Sequence, residues 1–302
     1  MDGFRNRLLT AAALVPAAVV MGLAGAGPTS KAAGSAVCTT AGTTMSVVAH
    51  QDDDLLFINP VTYADITAGR CVTVVFVTAG DAGRSARYWR GREAGAMAAY
   101  AAMAGAADSW RSSVMVVGGH RIRARTLAGH NLRLLFMRLP AGSPHGYPVH
   151  HYECLGRLRS GAATTIHAID GSATYTGASL RAALLDLMTL IRPSVIRTLD
   201  YSGRYGDGDH ADHLNTAFYT YEAQEQYTVP HAVAGFRGYP VSKRPANQAE
   251  PAAVAKLRFF LTYAARDPSV CRTSAACRAN RLYAPWFART YQITAPPNLD
   301  GL

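Results

Sequence analysis

Apolar runs alternate with stretches of helical spacing along most of this chain. Met45–Ala49 and Cys71–Ala79 are β-branched and nearly continuous in their apolar character, the pattern of strands covered on both faces. Val114–Gly118, Asn131–Leu139 and Ser194–Leu199 read as further strands. Between them, Arg92–Ala106 is alanine-rich and helical, with a polar start near Arg90–Glu93. Leu180–Ile191 is an amphipathic helix stopped at Pro193, with Arg192 where the helix dipole favours a cation. Helical spacing resumes from His213 to Gln226. This βα alternation predicts an α/β fold, a doubly wound and mostly parallel sheet with helices on both faces. Two stretches break the rhythm, Ala141–Tyr175 and Arg266–Leu302, and connections of that length often serve as lids or binding loops.

The chemistry concentrates at two strand ends. His50-Gln51-Asp52-Asp53 follows the first strand, and His210-Ala211-Asp212-His213 follows the strand at 194–199 after a Gly-rich turn. Ligands of open α/β sheets bind beyond the carboxyl ends of the strands, so two such clusters can meet at one point. Two imidazoles and one carboxylate make a catalytic zinc set whose fourth position is left to water, and a second carboxylate can take that water's proton. Each cluster alone also reads as a helix cap, since Asp is favoured there. His145, His150, His151 and His167 show no metal spacing.

These residues carry a resemblance. His50-Gln51-Asp52-Asp53-Asp54 resembles the A-H-P-D-D-E signature of the PIG-L/LmbE family of zinc-dependent N-acetylglucosaminide deacetylases, and His210-Ala211-Asp212-His213 its H-x-D-H. Thr78-Ala79-Gly80-Asp81 and Arg90-Gly91-Arg92-Glu93 resemble the family's T-x-G-[DE] and R-x-x-E, so the similarity covers roughly residues 45 to 265. Gln51 for Pro and Asp54 for Glu depart from the pattern at positions that are not expected ligands. The resemblance implies a Rossmann-like domain with long active-site loops and one Zn²⁺ held by His50, Asp53 and His213. Asp52 becomes the general base, and His210 a charged partner of the oxyanion or an acid for the departing amine. Asp212 and Asp54 are expected to support ligands from behind, and Arg90 to hold substrate, with an Arg90–Glu93 ion pair as the alternative. The implied reaction removes the N-acetyl group of an N-acetylglucosamine moiety, releasing acetate and a free amino sugar. A teicoplanin-type glycopeptide-antibiotic pseudoaglycone is the expected substrate. Cell-wall or other N-acetylglucosamine glycans are the alternative, and a non-catalytic sugar-binding relative is the reading from another class. The loop 141–175 and Gly235–Tyr239 are the expected substrate surfaces.

The first residues bear on compartment. Arg5 and Arg7 precede an apolar stretch from Leu8 to about Gly27, with Ala24-Gly25-Ala26 as a small-x-small site, so residues 1–36 read as a signal peptide or membrane anchor. Residues 37–302 then form a single deacetylase domain, secreted or anchored at the outer face of the membrane. Five cysteines suit such a place. Cys271 with Cys277 and Cys38 with Cys71 are the expected pairs, leaving Cys154 buried and inert. The leader's Arg5, Arg7 and Lys31 against Asp2 account for +2 of the net charge of +10, so +8 remains on the rest. No nucleic-acid motif accompanies that charge, and nucleic acid is excluded as a partner. The arginines and histidines of 119–138 (His120, Arg121, Arg123, Arg125, His130, Arg133, Arg138) read as a cationic patch, mostly a solvated face.

Overall fold

The structure, a computed structural model, describes residues 42–142 and 144–299. The leader and Cys38, with its expected bond to Cys71, lie outside the described residues. No helix among the described residues is long and apolar enough to cross a membrane.

The described chain opens with β1 (Thr43–Val48), then α1 (Val61–Thr67), β2 (Cys71–Thr78) and α2 (Ala86–Met103). Next come β3 (Trp110–Val117), β4 (His120–Leu127) and β5 (Leu132–Leu139). The stretch at 141–175 holds a short helix, α3 (Leu155–Arg159), and a two-stranded ribbon, β6 (Ile166–His167) with β7 (Thr174–Tyr175). α4 (Gly177–Ile191), β8 (Val195–Thr198), α5 (Ala211–Gln224) and β9 (Ala232–Gly235) follow. α6 (Glu250–Ala264), α7 (Ser274–Ala279) and α8 (Tyr283–Phe287) close the chain. The main sheet has the order β3-β4-β5-β2-β1-β8-β9. It is parallel from β5 to β9, and the β3–β4 hairpin adds an antiparallel edge.

The near-continuous apolar runs have a simple cause. Alternate residues of β2 enter two different cores: Val72, Val74 and Phe76 pack with α2 and α6, whereas Val75 and Val77 pack with α4. A strand buried on both sides has no polar parity to show. α4 starts at a capping box, in which Thr176 and Ser179 exchange side-chain and backbone hydrogen bonds of 3.0 and 2.9 Å. It stops where Arg192 turns left-handed (φ 54°) before Pro193.

The hairpin is the main difference from the sequence-based reading. The cationic patch divides between two strands and their connection: His120, Arg121, Arg123 and Arg125 lie on β4, His130 between the strands, and Arg133 and Arg138 on β5. Arg138 is not on a solvated face. It is buried, grips both Glu93 oxygens at 2.7 Å and reaches Asp170 at 2.6 Å. Cys271 and Cys277 are bonded, with Cα atoms 5.1 Å apart, and Cys154 is free and buried.

Close approach of α2 and α6 sets up the site. A Cβ on Gly91 would lie 2.8 Å from the Arg266 carbonyl oxygen, and one on Gly95 2.7 Å from that of Tyr263. Two glycines one turn apart therefore let the end of α6 lie directly against the turn that carries Arg92. Gly95→Ala should destabilise the protein by ~1–3 kcal/mol through overpacking, less the up to ~1 kcal/mol that Ala contributes to a helix. Denaturant unfolding checks this, and an unchanged or raised midpoint would contradict it.

Candidate metal centre and active site

β1 and β8 are paired in the sheet, so their carboxyl ends lie side by side. Beyond β1 the chain is pinned: Thr78 Oγ1 donates to the Ala49 carbonyl at 2.8 Å, and Gln51 Nε2 donates to the Thr78 carbonyl at 3.0 Å. His50 to Asp53 then turn back, with the His50 amide donating to Asp53 Oδ2 at 2.6 Å, before a buried π-helical turn over Asp54–Ile58. Beyond β8 the chain reaches Asp209, and His210 caps α5. The two clusters do meet.

Their meeting point is Asp53. Its Oδ1 lies 3.3 Å from His50 Nδ1 and 3.0 Å from His213 Nε2, all three residues being buried. Each imidazole has a second carboxylate at its far nitrogen. His50 Nε2 is 3.2 Å from Asp212 Oδ2, which also accepts from the Gly142 amide at 2.9 Å. His213 Nδ1 is 2.8 Å from Asp209 Oδ1, which also accepts from the amides of His210 and Tyr239 at 2.9 and 3.1 Å. A neutral imidazole has one N–H and cannot serve two carboxylates. Either both rings are charged, or a cation replaces the inner protons. Without a cation, burial opposes the charge on His50, yet Asp53 and Asp212 outweigh it and push His50 up to about 9. His213 goes well above its ordinary value against the same opposition, through Asp53 and Asp209. Asp53 in turn is held well below the carboxylate range by the two rings, despite its burial. Two imidazoles and a carboxylate facing inward, each ring oriented by an outer carboxylate, is the donor set of a divalent metal site. His50, His210 and Asp212 form a second convergent set, but there the Asp212 oxygen already binds an amide and His210 Nδ1 is occupied.

Asp52 stands beside this set and lines the cleft. Burial raises its carboxyl above the ordinary range, and Arg92, with NH2 2.5 Å from Oδ1, opposes that rise. Arg92 is itself fixed, donating to Tyr263 Oη and the Gly80 carbonyl at 2.6 Å each and pairing with Asp267 at 3.2 Å. Gly80 (φ 59°) must lack a side chain, because a Cβ would come within 2.3 Å of Gln51 Oε1.

Three expectations are corrected here. Arg90 does not face the cleft or pair with Glu93; it is exposed, its guanidinium 4.9 Å from the Trp89 ring, and Arg92 is the arginine of the site. Asp54 supports no ligand. It accepts a hydrogen bond from Tyr100 under the sheet, where burial pushes it up to about 7. His210 is not a charged partner for the oxyanion. Its Nδ1 accepts the Asp212 amide at 3.1 Å, and burial pulls it down to about 4. The remaining ring proton therefore sits on Nε2, which leaves a neutral donor at the cleft.

The cleft is about 200 Å³ in volume and is open to solvent. Aromatic residues form its walls: Tyr88, Tyr147, Tyr239, Tyr283 and Trp286. Tyr239 stacks on Trp286 with ring centroids 4.9 Å apart, and its edge faces His213. Gly142 and Tyr147 come from 141–175, as expected of that stretch. Asp209, Arg92, Tyr283 and Trp286 were not anticipated. Asp209 directly precedes the second cluster, and Arg92 lies within the run that suggested Arg90.

The family model for PIG-L, the GlcNAc-PI de-N-acetylases, matches residues 45–224. The chain belongs to the PIG-L family. No curated protein matches it by sequence. Among solved structures it is similar to the A40926 pseudoaglycone deacetylase Dbv21, at 15% identity and a TM-score of 0.42 over 74% of this chain and 81% of that one. It is also similar to a zinc-inhibited form of teicoplanin deacetylase Orf2, at 15% identity and 0.41 over 74% and 84%. The N,N'-diacetylchitobiose deacetylase of Pyrococcus horikoshii follows at 11% and 0.39 over 75% and 71%.

A PIG-L site built this way makes a prediction about protons. At pH 6 the metal-free protein carries both His50 and His213 protonated, so zinc binding should release about two protons. The release should decline as the pH passes about 9, where His50 has already lost its proton. Calorimetry in buffers of different ionisation enthalpy counts them, and release of fewer than one at pH 6 would contradict the ligand set.

Proposed function

We propose that this PIG-L protein is a zinc-dependent deacetylase that hydrolyses the N-acetyl group of an N-acetylglucosamine moiety. The observation that carries the reading is Asp52, a buried carboxylate outside the His50–Asp53–His213 set but beside it, facing an aromatic cleft of about 200 Å³. Bound zinc would polarise the acetamide carbonyl and lower the pKa of an attacking water. The chain supplies everything else. Asp52 takes the proton of that water, and Arg92 fixes the direction of its lone pairs. His210 donates its Nε2 hydrogen to the developing oxyanion, a contribution that needs no charge on the ring. Protonated Asp52 then returns the proton to the departing amine. Tyr239 and Trp286 offer an apolar face to the sugar ring.

The small, open cleft supports a substrate whose carrier stays outside it. The export pattern of the leader supports carriers outside the cell, namely a teicoplanin-type pseudoaglycone or a cell-wall glycan. Mass spectrometry of these two after incubation, with and without chelator, tests both the reaction and the choice. A protein loaded with zinc that binds such sugars and releases no acetate would be a binding module instead.

Asp52→Asn should keep zinc and lose ~10²–10⁴-fold in kcat. His210→Ala should also keep zinc and lose ~10²-fold or more. Its pH–rate profile should keep both limbs, because a group that titrates near 4 reports neither at neutral pH. Loss of the basic limb, or zinc lost by either variant, would reassign the roles. Activity falls as pH drops through the Asp52 pKa, since the base must be ionised. Arg92 opposes the rise of that pKa, so Arg92→Gln should move the acidic limb to higher pH. An unmoved or lowered limb would show that another group sets it.

A further inference from the structure

One face of the β3–β4 hairpin presents a row of arginines with no acid to match them. Arg121, Arg123 and Arg125 alternate along β4 and so share a face, about 7 Å apart. Their register partners on β3 are Val116, Val114 and Ser112. Arg121 is exposed and the other two are half-buried, while Val116 and Val114 are 63% and 37% exposed. The opposite face, with Met115, Ile122 and Ala124, packs into the α4 core.

Glu93 acts on Arg125 of the row, but Arg138 grips Glu93 as well as Asp170. No ion pair to Arg121, Arg123 or Arg125 exists among the described residues. Burial and the charges of Arg123 and Arg138 pull the Arg125 guanidinium below its ordinary value, and Glu93 works against them. Charged residues often guard a sheet edge against unwanted pairing. That explanation does not fit, because β3 is the edge and on this face it carries Ser112, Val114 and Val116, while the charge sits one strand inward.

The strand next to the row is tied to α2 through Arg138, and α2 also lines the active site. The first turns of α2 separate the two: Tyr88 and Arg92 face the cleft, while Glu93 holds Arg138 and the Trp89 ring lies 4.7 Å from the Arg138 guanidinium. A helix is ~10–12 Å across, so a chain of a few sugar units spans from one to the other. We propose that the arginine row is a remote subsite for a linear, acidic glycan whose N-acetylglucosamine unit enters the cleft. The proposal rests on the deacetylase reading for the identity of that unit. The exposed valines give apolar contact to sugar rings, and the guanidinium groups bind carboxylates by paired hydrogen bonds.

The test uses Asp52→Asn protein, so that binding is read without turnover and a failed deacetylase assay does not bear on it. Labelled hyaluronan oligosaccharides, which alternate N-acetylglucosamine with a carboxylate sugar, are compared with neutral chitin oligosaccharides of equal length. Hyaluronan should bind roughly tenfold more tightly at low salt, and the advantage should shrink as salt rises. Adding Arg121→Ser, Arg123→Ser and Arg125→Ser should abolish the advantage and leave chitin binding and the thermal midpoint unchanged. Equal binding of the two glycans, or an advantage that survives the triple substitution, overturns the proposal. Vesicles of phosphatidylserine in phosphatidylcholine form a third arm. Binding to them that depends on Val114 and Val116, without preference for hyaluronan, would overturn it in favour of a membrane surface.

Discussion

A single carboxylate oxygen lies between two imidazole nitrogens contributed by segments 160 residues apart. Everything else at the site follows from the need to balance that arrangement. Asp53 is too buried to stay ionised alone, and the rings beside it are too buried to carry charge without it. Asp209 and Asp212 complete the balance from behind and fix each ring's orientation. Their own oxygens are held by backbone amides, so the loop after β5, the start of α5 and the segment at Tyr239 are all tied to the same point.

A second balance, between Asp52 and Arg92, keeps the reactive carboxylate apart from this set. It depends on packing. Gly91 and Gly95 bring α6 against α2, and that contact delivers Tyr263 and Asp267 to Arg92. Arg92 thus arrives at Asp52 with its donors already committed in direction. The aromatic wall is supported similarly: buried Lys256 donates to the carbonyls of Trp286 and Arg289 and to Thr290 Oγ1 at 2.6–3.0 Å, which fixes the turn bearing Trp286.

The sequence made the strands and the two clusters legible because both are contiguous. His50–Asp53 and His210–His213 each declare their chemistry within four residues, at the ends of runs whose burial on both faces leaves an unmistakable apolar pattern. Arg92 was hidden by helix phase. With the helix thought to begin at Arg92 rather than Ala86, nothing showed that Arg92 lies one turn from Tyr88 on the cleft side while Arg90 points outward. The hairpin's signal, Gly118-Gly119 between two alternating runs, is masked because the arginines of β4 resemble surface charge. β9 is four small residues and too short for any period to show. Tyr239 ends the segment expected to meet substrate, but Tyr283 and Trp286 reach the cleft from a stretch whose local pattern says nothing of where it folds.

The pairing of β1 with β8 has a consequence for how the protein matures. Residues Thr44–Ser46 pair with Val195–Arg197, a contact between segments far apart in the chain. His50 and Asp53 come from one side of that pairing and His213 from the other, so neither cluster alone holds the donor set. Contacts so distant in sequence carry a large loop-closure cost. An ion held by all three residues therefore reports that β1 and β8 are joined.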